Sequence, residues 1–186
     1  LPTDRPPLMA GAYLLLADTF GWLQSGNDGT YLRGQTYNTA AIVLNTLWVP
    51  ACWWLLIALR RELDYRGRIA ILLFVGCLPF VIFNTIYGWP KAFGAAFALV
   101  AFGLAWQVRE PNSSVSSRSI IILFFSMGAF SMLAHASTAL FLAPLGLLFL
   151  YWTAHSNTRS VLIGFSIALA LLASWSLYKA VVLPSS

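Results

Sequence analysis

The fold of this chain is decided by residues 119–154, which read SIIILFFSMGAFSMLAHASTALFLAPLGLLFLYWTA. The stretch contains no Asp, Glu, Lys or Arg, and a polar corner at His135 divides it in two. Each half approaches the roughly 20 apolar residues that a helix needs to cross a hydrocarbon layer about 30 Å thick. The stretch therefore predicts two membrane-spanning helices joined by a tight turn at His135.

Uncharged apolar stretches of similar length recur through the rest of the chain. A charge near the middle of a spanning helix costs at least a few kcal/mol, and none of these stretches contains one. We therefore predict an all-α membrane protein, a polytopic helical bundle with about six transmembrane helices. The predicted spans are residues 37–59, 69–86, 92–108, 119–134, 137–154 and 160–178.

The composition excludes several classes of protein. Hydrophobic residues make up 59% of the chain and charged residues 9%, whereas soluble domains are about half apolar and about a quarter charged. Eleven scattered Lys and Arg residues are too few for a nucleic-acid-binding face. Membrane lipid is thus the predicted partner, and nucleic acid is not.

The basic residues predict the orientation, because short cytoplasmic loops carry an excess of Lys and Arg. Seven of the eleven lie in residues 60–68, in the 109–118 connection and at Arg159, which predicts that these connections are cytoplasmic. The remaining four, Arg5, Arg33, Lys91 and Lys179, fall on the opposite, external side.

The N-terminal part reads differently from the six spans. Residues 8–23 are apolar but short and contain Asp18, which favours a helix lying in the membrane interface, with a spanning helix as the alternative. Residues 24–36 read as a loop because of their turn residues. The chain thus divides into the end of an external loop at 1–36, the bundle at 37–178 and an external end at 179–186. It opens without an initiator Met, and we expect a piece of a longer protein.

The candidate site residues all fall at the predicted external face. Asp4 and Arg5 precede two prolines that stiffen the backbone, and a fixed guanidinium can donate two hydrogen bonds to a phosphate. The alternative is an ordinary charged helix start. His135 stands at a polar corner, where an imidazole can bind phosphate, donate a proton or merely cap a helix.

A second candidate corner, Tyr87-Gly88-Trp89-Pro90-Lys91, joins two predicted spans in very few residues. Its ordinary interpretation is an aromatic belt with a snorkelling lysine. Its functional interpretation is a second cation for an anionic headgroup, with Tyr87 and Trp89 at its lipid-facing edge. The sequence shows no metal-ligand spacing and identifies no cofactor, which leaves the use of a divalent metal open.

Two short motifs carry a resemblance to a known family. A charged residue before Pro6-Pro7-Leu8, followed by an amphipathic segment, a polar loop and a span, resembles part of the first external loop of GT-C class integral-membrane glycosyltransferases. That class includes the protein O-mannosyltransferases and the aminoarabinose transferases of lipid A. The corner at Trp89-Pro90-Lys91 is similar to one in bacterial membrane proteins of this kind.

The resemblance implies a multi-pass enzyme of the bacterial inner membrane. Such an enzyme moves a sugar from a polyisoprenyl-phosphate donor to an acceptor at the outer face of the membrane. It implies that Arg5 helps to hold the lipid phosphate, together with Lys91 and His135 in our hypothesis. It also implies that the catalytic carboxylate precedes Leu1, so no catalytic residue is assigned in this chain.

Two other functions stay open at this stage. A transporter or flippase for a lipid-linked or small amphipathic substrate would show broken helices or buried charges near the middle of the membrane. Pro50, Pro79 and Pro144 lie within predicted spans, but without a paired pattern. The third function is that of a non-catalytic membrane scaffold.

Overall fold

A computed structural model describes residues 29–87, 90–109 and 117–182, together with Leu8, Gly11, Ala12, Leu14, Leu15 and Thr19. Within these ranges the side chains of residues 29–36, 179 and 182 are outside the description. The structure is 91% helical, and its described residues form no strand, so the predicted all-α fold is confirmed.

Seven α-helices follow one another in the described residues from Gly29 to Val182. Their bounds are α1 Gly29–Asn45, α2 Trp48–Leu59, α3 Tyr65–Gly76, α4 Pro79–Ile86, α5 Lys91–Arg109, α6 Ser117–Ala134 and α7 Ala139–Val182, with a 3-10 turn at Ala136–Thr138.

Four helical stretches are long and apolar enough to cross a membrane, and the bent pair α3–α4 would be a fifth if it is one broken span. This is the helix content of a multi-pass membrane protein. The four are Tyr37–Leu59, Lys91–Arg109, Ser117–Ala134 and Ala136–Tyr178.

Helix α5 lies at the centre of the bundle, where glycines on opposite sides of the helix contact different neighbours. Gly103 lies against the Trp54 ring of α2, and Gly94 lies against His135 and Thr138 after α6. Without side chains, the two glycines let the neighbouring elements approach closely. Asn45 contacts the start of α5 and Trp54 contacts its second half, so α2 and α5 run in the same direction.

Helices α6 and α7 pack against each other through aromatic residues. The Phe124 and Phe149 rings stack with their centroids 3.9 Å apart, and Phe149 is fully buried. Ile120 and Ile121 of α6 belong to the same buried cluster. Burying side chains of this size contributes most where they are fully enclosed.

Helix α7 doubles back at Asn157, whose backbone is not helical. Phe149 and Phe165 lie on either side of this residue and would be about 24 Å apart in a straight helix. Both rings instead lie about 6 Å from the Phe125 ring, at 6.0 Å and 6.1 Å. The two halves of α7 therefore lie side by side along α6, and the bend falls between the predicted spans 137–154 and 160–178.

The predicted span 69–86 is not one straight helix. Helices α3 and α4 meet at an angle of 74°, and α4 begins at Pro79. Proline lacks the N–H that would continue α3, and its ring disfavours helical geometry in the preceding residue. Leu78 is accordingly extended, with ψ at 127°.

The N-terminal region departs from the prediction in one place. The predicted loop over residues 24–36 is wrong from Gly29 onward, because α1 begins there. Residues 30–36 contain no proline, so nothing in them stops the helix from extending toward the N-terminus. The described positions within residues 8–23 are helical, and Thr19 Oγ1 donates to the Leu15 carbonyl at 2.7 Å. The position of this segment in the membrane interface stays a prediction.

Candidate functional site

The two ends of the bundle differ in chemistry. We call one the arginine end, defined by residues 60–68, Arg109 and Arg159, and the other the His135 end, defined by the 87–91 corner and His135. The parallel course of α2 and α5 places Leu59 and Arg109 at the same end. Each prediction of a functional residue concerns the His135 end.

A cavity of about 330 Å³ opens at the His135 end. Lys91, His135, Ser137, Thr138 and Asn84 form its polar part. Its walls continue along apolar side chains of α3, α4 and α5, which are Val75, Phe80, Val81, Ala92, Ala95 and Leu99, with Trp48 of α2. The cavity therefore combines a polar part that contains Lys91 with apolar walls.

The backbone around His135 is held by hydrogen bonds from both sides. The His135 N–H donates to the Ser131 carbonyl at 2.9 Å, and its own carbonyl accepts from Thr138 Oγ1 at 2.8 Å. Ser131 in turn donates from Oγ to the Gly94 carbonyl at 2.8 Å. These bonds fix the imidazole-bearing residue against the first turn of α5.

Ser137 and Lys91 are the two neighbours that affect the imidazole of His135. Its Nδ1 forms a 2.6 Å hydrogen bond with Ser137 Oγ. Burial, and after it the positive charge of Lys91, lower the pKa of His135 below its ordinary 6.5. Lys91 and His135 also line the same cavity.

Asn45, at the end of α1, holds the corner that carries Lys91. Its fully buried side chain donates from Nδ2 to the Tyr87 carbonyl at 3.1 Å and to the Thr85 carbonyl at 3.4 Å. Its Oδ1 accepts from the Phe93 N–H at 3.1 Å. One amide thus connects the end of α4 with the start of α5, on both sides of Lys91.

Two more polar contacts secure α4 beside the cavity. Trp48 Nε1 donates to Thr85 Oγ1 at 3.0 Å, and Thr85 Oγ1 donates to the Val81 carbonyl at 2.7 Å. Asn84 Nδ2 donates at 2.8 Å to the Phe80 carbonyl of its own helix, and Asn84 also lines the cavity.

The predicted site residues fall into three groups. Lys91 and His135 lie together in the cavity. Tyr87 is half exposed and stacks on Phe83 at 5.1 Å, and it is not among the side chains that line the cavity. Asp4, Arg5 and Trp89 lie outside the described residues.

Sequence reasoning missed Asn45 and Ser131. The sequence did contain a signal, which is a polar side chain within an apolar predicted span. Such a side chain is costly in a membrane unless it has hydrogen-bond partners. Asn45 lies in the predicted span 37–59 and Ser131 in the span 119–134. Asn45 accepts from the Phe93 N–H, 48 positions away, and Ser131 donates to the Gly94 carbonyl, 37 positions away. No local sequence pattern indicates partners at such distances.

At the arginine end, Arg68 and Arg109 lie against tryptophan rings. The Arg109 guanidinium lies 4.9 Å from the Trp152 ring and 5.5 Å from the Trp106 ring. Arg68 lies 5.9 Å from the Trp53 ring and donates to the Arg61 carbonyl at 3.1 Å. Such cation–π contacts hold the two guanidinium groups against aromatic rings.

Two further features of the described residues bear on function. No group of three or more His, Cys, Asp or Glu in this part of the chain could hold a metal ion. A second cavity of about 280 Å³ lies between α6 and the two halves of α7 and is almost wholly apolar. Phe125, Met132, Leu142 and Phe165 are among its lining residues.

Comparisons with known proteins found no match: no family model, no curated protein and no solved structure is similar to this chain.

Proposed function

We propose that this chain is part of a bacterial inner-membrane glycosyltransferase of the GT-C class. The enzyme transfers a sugar from a polyisoprenyl-phosphate donor to an acceptor at the outer face. The observation that carries the proposal is the convergence of Lys91 and His135 on one cavity with apolar walls. A phosphate attached to a hydrocarbon chain is charged at one end and apolar along the rest. These two parts match the polar part and the apolar walls of the cavity.

The polar part of the cavity suits the phosphate of the donor. Lys91 supplies a point charge, and the imidazole of His135 supplies an N–H donor toward the same space. The low dielectric of the surrounding helices and lipid strengthens attraction to an anion relative to bulk water.

The position of Leu8 supports a role for Arg5. Leu8 packs against the cluster of Ala41, Phe93 and Ala134, which belongs to the His135 end. Arg5 precedes Leu8 by three positions in the sequence, and three residues of extended chain span at most about 11 Å. We include Arg5 as a third cation of the site, beside Lys91 and His135.

In the proposed reaction these cations act on the leaving group. The donor phosphate is a singly charged diester, and it gains a second negative charge when the bond to the anomeric carbon breaks. Donors already positioned around the phosphate stabilise this developing charge. The described carboxylates are Glu62 and Asp64, both at the arginine end, and neither is assigned as the base that activates the acceptor.

Donor binding in lipid nanodiscs tests the proposal. We expect Lys91→Gln to weaken binding of a polyisoprenyl-phosphate-linked sugar about tenfold or more, as loss of a charge-assisted hydrogen bond predicts. Arg5→Gln should act in the same direction. The matched control is Arg66→Gln, an exposed cation at the arginine end, which should bind normally.

A soluble glycosyl phosphate without the lipid chain serves as a competitor in the same assay. Weak competition would show that the apolar walls contribute to recognition. Unchanged binding in both Lys91→Gln and Arg5→Gln proteins would contradict the proposal.

One observation favours the second candidate, a lipid transporter or flippase. The 74° break between α3 and α4 lies beside the cavity, and broken helices are typical of transport sites. Reconstituted full-length protein separates the two functions. A transferase releases the sugar from its carrier, whereas a flippase moves the intact donor across the bilayer.

For the complete bundle we propose six membrane crossings. A straight helix over the 43 residues of Ala136–Tyr178 would measure about 65 Å, which is about twice the hydrocarbon thickness. The side-by-side halves of α7 support two crossings in place of one. If α3–α4 is counted as one broken span, the proposed number of crossings equals the six predicted from the sequence.

A further inference from the structure

We propose that His135 is neutral in the protein without donor and takes up one proton when the donor phosphate binds. The site would then gain this cation only together with its ligand. This inference rests on the proposed function, because it concerns the same cavity and the same anion.

The geometry of the cavity provides the reason. Lys91 and His135 line the same space, so a protonated imidazole would place two positive charges side by side. That repulsion, added to the burial of the ring, favours the neutral form. A bound phosphate reverses the balance, because it attracts both cations at once.

Among the described residues that line the cavity with His135, Lys91 is the charged one. From α4 the cavity receives Asn84, from α2 Trp48, and from the turn after α6 Ser137 and Thr138, none of which is charged. Among the described residues no carboxylate lines the cavity, since Glu62 and Asp64 belong to the opposite end. An anion that enters therefore has a large effect on the protonation of His135.

Ser137 makes the change of protonation possible without rearrangement. Its hydroxyl lies 2.6 Å from His135 Nδ1 and can either donate to a bare nitrogen or accept from a protonated one. Nε2 has no hydrogen-bond partner among the described residues. In the protonated ring Nδ1–H donates to Ser137 and Nε2–H is left to donate to a phosphate oxygen.

The test measures donor affinity between about pH 5.5 and about pH 8.5, together with calorimetry in two buffers of different ionisation enthalpy. The probe is a polyisoprenyl-phosphate-linked sugar in nanodiscs, because its phosphodiester does not titrate in this range. We expect uptake of up to one proton on binding. The Kd should rise by at most about tenfold per pH unit above the pKa of the donor-free protein.

Variants assign this proton to His135. His135→Gln should bind about as weakly as the wild type does at high pH, with no pH dependence. Lys91→Gln should bind more weakly but keep a pH dependence, shifted to higher pH because the neighbouring charge is gone. His155→Gln, an exposed histidine near the bend in α7, is the matched control and should behave like the wild type.

The outcomes separate this inference from the proposed function. Donor binding that depends on Lys91 but is flat with pH and takes up no proton would overturn the role of His135 and leave the proposed function standing. The same pH dependence in His135→Gln as in the wild type would also overturn it. Absence of donor binding in the wild type at every pH would overturn both.

Discussion

Asn45 is the residue on which the shape of the candidate site depends most. Its side chain donates to a carbonyl group at the end of α4 and accepts from the Phe93 N–H in the first turn of α5. The first N–H groups of a helix have no partner within the helix, so an outside acceptor is needed where they are buried. Asn45 thereby fixes the corner from which Lys91 enters the cavity.

Replacing Asn45 by leucine keeps its approximate volume but removes these hydrogen bonds. We expect Asn45→Leu to lower the free energy of unfolding by about 1–3 kcal/mol, because buried backbone groups lose their partners. Thermal unfolding in detergent measures the change. The control is Asn38→Leu, an exposed asparagine two turns earlier in α1. Equal melting temperatures for both variants would contradict this role.

The protonation of His135 can also be measured without any ligand. Its pKa should lie below 6.5, because burial and the charge of Lys91 both disfavour the imidazolium. In Lys91→Gln the pKa should move upward but stay below the ordinary value, since burial is the larger cause and remains. NMR titration of ring-labelled histidine checks this. A higher pKa in the wild type than in Lys91→Gln would contradict the arrangement.

At the scale of helices, the three prolines within predicted spans have different effects. Pro50 lies in the first turn of α2, where the missing N–H costs little, and Pro144 is accommodated inside α7. Only Pro79 coincides with a sharp break among the described helices. The sequence identifies prolines as possible breaks, but the packing of neighbouring helices decides which of them bends the chain.

Helix α5 depends on glycine where α2 crosses it. An added Cβ at Gly103 would overlap the Trp54 ring, whereas a Cβ at Gly128 of α6 would meet nothing within 4 Å. We expect Gly103→Ala to destabilise the protein by about 1–3 kcal/mol through overpacking. Gly128→Ala should be neutral, or stabilising by up to about 1 kcal/mol. Thermal unfolding of the two variants makes the comparison, and equal effects would contradict the close contact between α2 and α5.

For the whole molecule, the separation of charge between the two ends predicts how the bundle sits in a membrane. Arginines on aromatic rings occupy one end, and the cavity with Lys91 and His135 occupies the other. The excess of basic residues at the arginine end predicts that it faces the cytoplasm.

Cysteine labelling in intact cells checks this orientation. In a background with Cys52→Ala and Cys77→Ala, the exposed positions Glu62 and Ala136 are replaced by cysteine one at a time. An impermeant maleimide should label Ala136→Cys in intact cells and Glu62→Cys only after permeabilisation. Labelling of Glu62→Cys in intact cells would reverse the topology.

Much of the bundle could be predicted from the sequence, because the bilayer imposes a length and a polarity on every spanning helix. The ranges predicted for α5 and α6 agree with the structure to within two residues at each end. The start of α1 could not be predicted, because the helix begins at Gly29, inside a segment that reads as a loop. The bend at Pro79 could not be predicted, because Pro50 and Pro144 also lie in predicted spans and do not bend the chain sharply. The pairing of Lys91 with His135 followed from topology, but the contacts of Asn45 that support it are long-range and leave no local pattern.

Photo-crosslinking tests the central claim most directly. A polyisoprenyl phosphate with a photoreactive group beside the phosphate is bound to the full-length protein, and the labelled peptides are identified by mass spectrometry. The account predicts labelling in the corner and first turns of α5, within residues 87–99, and in the turn at 135–138. Labelling confined to the apolar cavity between α6 and α7, or to the arginine end, would contradict it.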